Sequence, residues 1–332
     1  MPKRVTVADV ARTAGVSMMT VSRAINGTPG VSPGTRRAIL KIAKKIGYHP
    51  SGVARALATR RTRTIGLLIP DITNPFFSEL ARGAEDYAYQ HGYGLFLVNT
   101  DEDPQREEGV LASLREKQVD GLVWCSSRLE QTRLKHWSMQ FPRVVLVNRR
   151  HAGVASINVD DEDGARRAVA FFAGGGRRNI AFFAGPSHSF SSQRRLAGYR
   201  AGLDEAGIPF KPGLAIQSTP NYDGGVQALT FLSAGGLACD AVLTYNDLVA
   251  VGAVQACKKF GLHVPRDLAF IGFDDIPMAA LVSPQLSTLR IDKRAMGARA
   301  VEALIASIDG ATLMLPQETL LASELILRET TP

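Results

Sequence analysis

The chain has 332 residues, of which 45% are hydrophobic, so it can bury more than one core and two or three domains are expected. No apolar run reaches the roughly 18 residues that a membrane span requires, and the N-terminal stretch lacks the apolar segment of a signal peptide. The three cysteines form no CxxC pair. These features favour a cytoplasmic protein with no membrane contact and with free thiols instead of disulfides or a zinc site.

The charge is unevenly distributed along the chain. Residues 1–63 carry 4 Lys and 9 Arg against one acid, Asp9, for a net charge of +12. The remainder carries 26 basic and 30 acidic residues, for a net charge of −4. A basic segment that also has a regular apolar pattern predicts binding to a polyanion, with a merely solvated basic tail as the alternative.

Three short helices are predicted in this basic segment. Thr6 can cap the first, over "VADVARTA", and Gly15 makes the turn that follows it. Ser17 can cap the second, over "MMTVSRAI", which ends near Asn26-Gly27, and Ser32 can cap the third, over "PGTRRAILKIAKKI". Their shared core is expected to contain Val10, Ala14, Val21, Ala24, Ile39, Ile42 and Ala43.

Two adjacent methionines, Met18 and Met19, begin the second helix. They lie four residues before Ser22 and Arg23, and so project on the polar side of that helix. In a helix-turn-helix, these first positions reach base edges in the major groove, where methionine can contact a thymine methyl and arginine can pair with guanine. Both methionines and Arg23 are therefore predicted to face DNA; packing of one methionine against the head or hinge is the alternative.

After residue 64, short apolar runs alternate with amphipathic helical segments. The runs are "TIGLLIP", "GLFLVN", "GLVWC", "RVVLVN", "NIAFFAG", "LAIQS", "AVLTYN" and "LAFIGFD". This alternation predicts parallel sheets with helices on both faces, and eight or more strands over about 265 residues predict two α/β lobes. Ligands bind at the carboxyl ends of strands in such sheets, so the residues just after each strand are the site candidates.

The stretch "VTVADVARTAGVSMMTVSRAING…VSPGTRRAILKIAKKIGYHPSGVARALATRRTRTIGLLIPDITNPFFSEL" resembles the start of lactose-repressor-family transcription regulators. Later segments such as "RRLAGYRAGL", "AVLTYNDLVAVGAV" and "GLHVPRDLAFIGFDD" extend the likeness over almost the full length. The resemblance implies an α/β protein with a helix-turn-helix head of three helices, a hinge helix, and a two-lobe body like the periplasmic binding proteins. The implied domains are 1–50 for DNA binding, 51–63 for the hinge helix and linker, and 64–332 for effector binding and dimerisation.

The resemblance also implies which residues contact DNA. Hydroxyl and amide side chains suit the DNA backbone because they donate hydrogen bonds without reading sequence. Backbone positions of the family match Thr6, Ser17, Thr20, Ser22, Asn26, Thr35 and Tyr48, and base-reading positions match Val7, Met18, Met19 and Arg23. In the hinge "SGVARALA", which includes Val53 and Ala54, Leu57 matches a leucine that wedges into the minor groove; packing against the linker is its alternative.

A small effector binds between the lobes in this family. Its ligand positions match Asn74, Phe76, Phe77, Asn148, Arg149, Arg195, Tyr222, Asn246 and Asp274. Aromatic faces stack on sugar rings, and Asn, Asp and Arg hydrogen-bond vicinal hydroxyls, so a monosaccharide is expected. Two arginines against one acid predict a surplus positive charge, which makes a sugar acid the runner-up. Ile291 stands where sugar binders often have glutamine or another polar side chain, so the effector stays open.

Together these features predict a repressor whose affinity for double-stranded operator DNA, an inverted repeat, is controlled by the effector. A homodimer is expected because two heads and two hinges read the repeat, and the C-terminal leucine heptad that makes some relatives tetramers is missing. Induction, co-repression and a non-sugar effector are all compatible with the sequence.

Two other classes of protein are disfavoured. The chain has no G-x-G-x-x-G after a strand, no phosphate-binding G-x-x-x-x-G-K-[ST], no G-x-S-x-G and no histidine pair at metal-ligand spacing, so neither an enzyme nor a cofactor is expected. A periplasmic-type solute-binding protein is the more remote alternative, because the basic head and the missing signal peptide both argue against it.

Overall fold

The computed structural model describes residues 5–48, 59, 61–236, 238–310 and 317–332. The backbone divides into two units, residues 1–63 and residues 64–332. The hinge residues Val53, Ala54 and Leu57 lie outside the described residues, so their roles stay predictions.

The first unit, here called the head, contains three helices that each begin at a capping hydroxyl. They are α1 (Val7–Ala14), α2 (Met18–Asn26) and α3 (Pro33–Lys45). The side chains of Thr6, Ser17 and Ser32 each accept a backbone N–H from the first turn, which a helix start otherwise leaves without a partner. Gly15 ends α1 at φ 65°, a left-handed conformation that costs glycine little. The predicted caps and turn are confirmed.

The core of the head is formed by one face of each helix. Val10, Val21, Ala24 and Ile39 are almost fully buried, as predicted, whereas Ala14 and Ile42 pack at the margin. Met18 and Met19 are 58% and 64% exposed, so neither contributes to this core. The two methionines therefore lie on the surface of the head.

The second unit, here called the body, contains two six-stranded sheets. Its strands are β1 (Thr64–Ile69), β2 (Gly94–Asn99), β3 (Gly121–Cys125), β4 (Val144–Val147), β5 (Ala155–Val159), β6 (Ile180–Ala184), β7 (Ala215–Gln217), β8 (Ala241–Thr244), β9 (Ala269–Asp274), β10 (Ser287–Arg290), β11 (Glu318–Leu321) and β12 (Glu324–Ile326). The orders are β11-β5-β4-β3-β1-β2 in lobe 1 and β12-β10-β9-β8-β6-β7 in lobe 2. Neighbouring strands are parallel except for β12, which is antiparallel to β10. The predicted α/β class with two lobes is confirmed.

Eight helices are described in the body. They are α4 (Pro75–Gln90), α5 (Pro104–Glu116), α6 (Gln131–Ser138), α7 (Asp161–Gly174), α8 (Phe190–Glu205), α9 (Tyr222–Ala234), α10 (Asp247–Cys257) and α11 (Lys293–Ile308). Three pairs of them pack closely, α4 with α11, α7 with α8 and α9 with α10. In the first pair, a Cβ added to Gly83 would lie 2.0 Å from the carbonyl oxygen of Arg294, so the backbones can meet only at a glycine.

The chain passes between the two lobes three times. It leaves lobe 1 after β5 to form α7, returns after β10 to form α11, and passes back between β11 and β12. Elements without a counterpart among the predicted runs include β5, β10 and α11. The lobe junction, where these crossings occur, also contains the candidate ligand cleft.

Candidate ligand cleft and DNA-binding surface

A narrow cleft lies at the carboxyl ends of strands from both lobes. Lobe 1 contributes residues that follow β1, β2, β3 and β4, and lobe 2 contributes residues that follow β8 and β9 together with the start of α8. The lining residues are Asn74, Phe76, Phe77, Glu102, Ser126, Arg128, Asn148, Ser191, Arg195, Pro220, Tyr245, Asn246 and Asp274. The strand-end rule applied to the sequence therefore identifies the correct edge of both sheets.

Unusual backbone conformations occur at this edge. Glu102, Ser126, Asn148 and Asp274 have φ values of 58°, 49°, 50° and 107°, in a region that residues other than glycine rarely adopt. All four line the cleft. Such strained residues cluster at functional sites because the surrounding structure holds them in place.

Arg195 is the most constrained side chain of the cleft. Its Nε donates to Asp161 Oδ1 at 2.8 Å, its Nη1 donates to the carbonyl of Tyr245, and its Nη2 lies 3.8 Å from Asp274 Oδ1. The guanidinium also lies 4.0 Å from the centre of the Phe273 ring. Burial lowers the pKa of Arg195, but the neighbouring Asp161, Asp274 and Tyr245 raise it by more, so the side chain is a fixed cation.

Asp274 is a carboxylate whose charge depends on pH. Burial raises its pKa to about 7, although Arg195 and Lys293 lower it. The ammonium of Lys293 donates to the backbone carbonyls of Asp274 at 2.6 Å and Asp275 at 3.0 Å, and so fixes this strand end. The Asp274 carboxyl can therefore accept or donate a hydrogen bond near neutral pH.

Three asparagines line the cleft while their side-chain oxygens serve the backbone. Asn74 Oδ1 accepts from Phe76 N at 3.0 Å and caps α4, and Asn246 Oδ1 accepts from Val249 N at 2.9 Å and caps α10. Asn148 Oδ1 accepts from Val159 N at 3.3 Å. Each of these bonds fixes an asparagine side chain at the edge of the cleft, because its oxygen is held by a backbone N–H group.

Phe76 and Phe77 both line the cleft and both belong to the lobe 1 core. Their ring centres are 5.0 Å apart and the rings are nearly perpendicular. Each ring therefore packs in the core and borders the cleft at the same time. Two edge-to-face rings give the cleft an apolar wall against which a sugar ring can stack.

Arg149 and Tyr222, predicted as ligand residues, do not line the cleft. Arg149 is buried inside lobe 1, where its Nη2 donates to the carbonyl of Leu129 at 2.6 Å. Asn148, the residue before Arg149, has a left-handed backbone conformation. Tyr222 is the first residue of α9 and is 43% exposed.

Five polar lining residues escape the sequence prediction. They are Glu102, Ser126, Arg128, Ser191 and Tyr245. Four of these follow the ends of β2, β3 and β8 by one to three residues, so the strand-end rule could have found them. Asp161, which binds Arg195 from the start of α7, follows β5 by two residues, but β5 is not among the predicted runs, so the rule could not find it.

The cleft is almost filled by its own side chains. Its volume is about 30 Å³, the share of one water molecule in the liquid. A groove of about 1000 Å³ opens beside it and shares Asn74, Glu102 and Pro220 with its wall. A sugar ring therefore fits the cleft only when lining side chains or the lobes move.

The head presents its predicted DNA-contacting residues on the surface. Besides the two methionines, Thr6, Ser17, Arg23, Asn26 and Thr35 are exposed, whereas Val7, Thr20, Ser22 and Tyr48 are half-buried. The hydroxyl groups of Ser17 and Thr20 are 2.9 Å apart at the start of α2. This arrangement places polar donors beside exposed apolar side chains at the start of one helix, as a major-groove reader requires.

Comparison with known proteins decides the class. Residues 6–51 match the model of bacterial regulatory proteins of the lacI family, and residues 169–331 match that of the periplasmic binding protein-like domain. The chain is 34% identical to catabolite control protein A of Priestia megaterium, over 94% of this chain and 96% of that protein. The chain belongs to the lacI family.

Two further matches extend over nearly the whole chain. The ribose operon repressor of Escherichia coli K12 is 37% identical, over 93% of this chain and 94% of that protein. The lac repressor dimer bound to operator and the anti-inducer ONPF is 27% identical, with a TM-score of 0.89 and coverage of 99% of both chains. The resemblance inferred from the sequence is therefore confirmed.

Family membership makes the chain a DNA-binding transcription regulator and not an enzyme. Among the described residues, no group of His, Cys, Asp and Glu is arranged to hold a metal ion. Within the same part of the chain, no helix is long and apolar enough to cross a membrane.

Proposed function

We propose that this lacI-family regulator is a cytoplasmic repressor whose operator affinity is controlled by a neutral monosaccharide bound in the cleft. The observation that carries the proposal is the fixed guanidinium of Arg195 beside Asp274, facing the perpendicular rings of Phe76 and Phe77. A charged fork, a carboxyl and an apolar wall are the groups that bind the hydroxyls and the C–H face of a sugar ring.

The charges of the cleft favour a neutral ligand over a sugar acid. The sequence predicted a surplus positive charge, but Glu102 binds Arg128 and Asp161 binds Arg195 within hydrogen-bonding distance. Each arginine that lines the cleft thus already has a carboxylate partner, and Asp274 adds an acid whose pKa is about 7. Among the residues that line the cleft, a carboxylated sugar would meet only arginines that are already paired, so its desolvation would be poorly compensated.

DNA recognition is assigned to the head. Met18, Met19 and Arg23 are proposed to read bases in the major groove, and the hydroxyl and amide groups around them to bind phosphates. The surface exposure of these side chains at the start of α2 and the net charge of +12 in residues 1–63 support this assignment. Replacing Arg23 with Ala should relax one base position in each half-site, at a cost of about 1–3 kcal/mol.

A homodimer is proposed from exposed apolar surface on the body. Phe96 and Leu97 are exposed on β2, which ends the lobe 1 sheet, and Met278 and Leu281 are exposed after β9 in lobe 2. An outer strand with exposed apolar side chains tends to associate with another chain unless it is covered. The dimeric lac repressor, which has the same fold over 99% of the chain, supports the same assembly.

An operator gel shift with and without sugars tests the proposal. Operator fragments selected from random DNA would be titrated with the protein alone and with ribose, xylose, glucose, galactose, gluconate or galacturonate. A neutral sugar should change the operator affinity of the wild type but not that of Arg195→Ala. A decrease in affinity identifies an inducer and an increase a co-repressor. Modulation by the acids alone would contradict the proposed ligand class.

A further inference from the structure

We propose that Arg128 is a specificity-determining residue of the effector site, which presents its guanidinium from lobe 1 opposite Arg195 of lobe 2. This inference rests on the proposed function, because it concerns the same cleft. Arg128 is 4% exposed and lines the cleft together with Glu102 and Tyr245. The family positions that predict ligand contacts from the sequence do not include it.

The base of Arg128 is fixed inside lobe 1. Its backbone N–H donates to Glu107 Oε2 at 2.9 Å, and Glu107 Oε1 accepts from Trp124 Nε1 at 2.6 Å. Glu107 and Trp124 are both buried, so this anchor moves only with the lobe. A side chain built on a rigid anchor loses little entropy when it binds a ligand.

The guanidinium of Arg128 is oriented by a carboxylate. Its Nε and Nη2 atoms donate to the two oxygens of Glu102, with the Nη2 bond at 3.1 Å. This bidentate pair does not use the Nη1 end of the fork. Since Glu102 neutralises the charge, Arg128 can act as a hydrogen-bond donor to an uncharged hydroxyl without requiring an anion.

Tyr245 lies on the opposite lobe and lines the same cleft as Arg128. Its ring lies against Gly185, where an added Cβ would be 2.4 Å from the ring, and its hydroxyl is 3.1 Å from that of Ser189. Burial lowers the pKa of Arg128, but Tyr245 and Glu102 are close enough to raise it overall. Arg128 therefore lines the cleft together with a lobe 1 carboxylate and a lobe 2 phenol.

Arg128 and Tyr245 are among the side chains that fill the cleft. A ring can enter only if such lining side chains or the lobes move, since the cleft volume is about 30 Å³. Nη1 of Arg128, which makes no bond to Glu102, is the donor that we assign to the ring. The neutral sugar is then held between two paired guanidinium groups, one from each lobe, so hydroxyl stereochemistry is read from both sides.

The test uses a matched pair of variants on lobe 1. Arg128→Gln removes the fork, and Arg133→Gln is the control, because Arg133 makes the same bidentate contact to Glu108 but is half exposed and does not line the cleft. The neutral sugar that most raises the wild-type melting temperature is chosen first, and calorimetry on the full chain then measures its affinity. Arg128→Gln should weaken the affinity for this sugar by roughly 10- to 100-fold, and Arg133→Gln should weaken it by less than about twofold.

Two measurements distinguish sugar recognition by Arg128 from a purely structural role of this residue. The ratio of affinities for ribose and xylose, or for glucose and galactose, should change in Arg128→Gln, and Arg128→Lys should not restore it because lysine lacks the fork. Glu102→Gln should shift preference from glucose toward gluconate, because it leaves Arg128 without its counter-charge. A uniform loss of affinity with unchanged ratios would assign Arg128 a structural role and overturn the inference.

The remaining outcomes also decide between the inference and the proposed function. Tighter sugar binding by Arg128→Gln would mean that Arg128 only competes with the sugar, which contradicts the inference and leaves the cleft assignment intact. If Arg195→Ala weakened sugar binding and Arg128→Gln had no effect, the inference would likewise be contradicted and the cleft assignment would stand. If no sugar of the panel raised the wild-type melting temperature, the proposed function would fail and the inference with it.

Discussion

At the scale of single residues, the cleft is held together by buried charges that each need a partner. Arg195 and Asp161 are both almost fully buried, and the pair joins the start of α7 to α8. Replacing one buried partner leaves the other charge without compensation, which is costly in a low-dielectric interior. The residues that bind the proposed effector therefore also stabilise lobe 2.

Arg195→Ala should lose measurable sugar binding and destabilise the body by about 3–5 kcal/mol, because Asp161 is left buried and unpaired. The matched control is Arg194→Ala on the same helix, whose partner Glu162 lies in α7 but is about one-third exposed. That variant should cost about 1 kcal/mol or less. Urea unfolding and calorimetry measure both effects, and equal losses in the two variants would contradict the assignment of Arg195.

The affinity for the effector should rise with pH through about 7, the pKa to which burial raises Asp274. An ionised carboxylate accepts a hydrogen bond from a sugar hydroxyl, so binding favours the charged form, lowers this pKa and releases a proton. The increase is at most roughly tenfold per pH unit, lies below about pH 7, and levels off above it because Asp274 is then already ionised in the free protein. Burial also lowers the pKa of His188 in the adjoining groove.

Calorimetry at several pH values checks this prediction, with Asp274→Asn as the control. The amide cannot titrate, so the variant should bind more weakly and with a flat pH profile. A wild-type profile as flat as that of the variant would show that Asp274 does not bind the effector in its ionised form.

The residue-scale prediction from sequence succeeds where a side chain follows a strand directly and fails where a backbone turn intervenes. Asn148, Asn246 and Asp274 lie at the cleft as predicted, whereas Arg149 is carried inside lobe 1 by the left-handed turn at Asn148. No sequence pattern indicates which residue of Asn148-Arg149 faces the ligand. That choice depends on a backbone conformation that only the folded sheet imposes.

At the scale of helices and strands, elements with buried polar residues are not predicted by a hydrophobic pattern. In β5, Ser156 and Asn158 are buried, and in β10, Ser287 and Thr288 are fully buried. Their side chains are paired; Thr288 Oγ1, for example, donates to Asp247 Oδ1 at 2.5 Å. Such strands contain no apolar run, so the sequence predicts the eight apolar strands but misses these two. The head helices were predicted well because capping and turn signals are local.

The pairing of α4 with α11 gives a prediction at this scale. Gly83→Ala should destabilise the body by about 1–3 kcal/mol, since its Cβ would lie 2.0 Å from the Arg294 carbonyl oxygen and force the two backbones apart. Gly109→Ala in α5 is the control, because a Cβ at Gly109 meets nothing within 4 Å. That substitution should stabilise the helix by about 0.5–1 kcal/mol.

Thermal and urea unfolding measure both glycine variants. Opposite signs are expected, because both replacements favour the helical backbone but only one adds a clash. If Gly83→Ala were as stabilising as Gly109→Ala, the close approach of α4 and α11 would not be a feature of the folded protein.

At the scale of the whole molecule, the charges of the head and the charges of the cleft have different roles. The head has a net charge of +12, whereas the arginines that line the cleft are buried and paired within a body of net charge −4. Exposed charges are screened by salt over about 10 Å at 0.1 M, and buried pairs are screened much less. An effector can change operator affinity only through its different affinity for two states of the body, typically by 1–3 kcal/mol.

Salt should therefore separate the two binding activities of the same protein. Operator affinity should fall by roughly a factor of 1000 or more between about 50 and 200 mM salt if about six phosphates are bound, because binding releases counterions from DNA. Sugar affinity should change by less than about twofold over the same range, because a neutral ligand releases none. Fluorescence anisotropy with labelled operator and calorimetry with the sugar measure the two dependences on one preparation. A flat operator response would contradict phosphate binding by the head, and a steep sugar response would indicate an anionic effector.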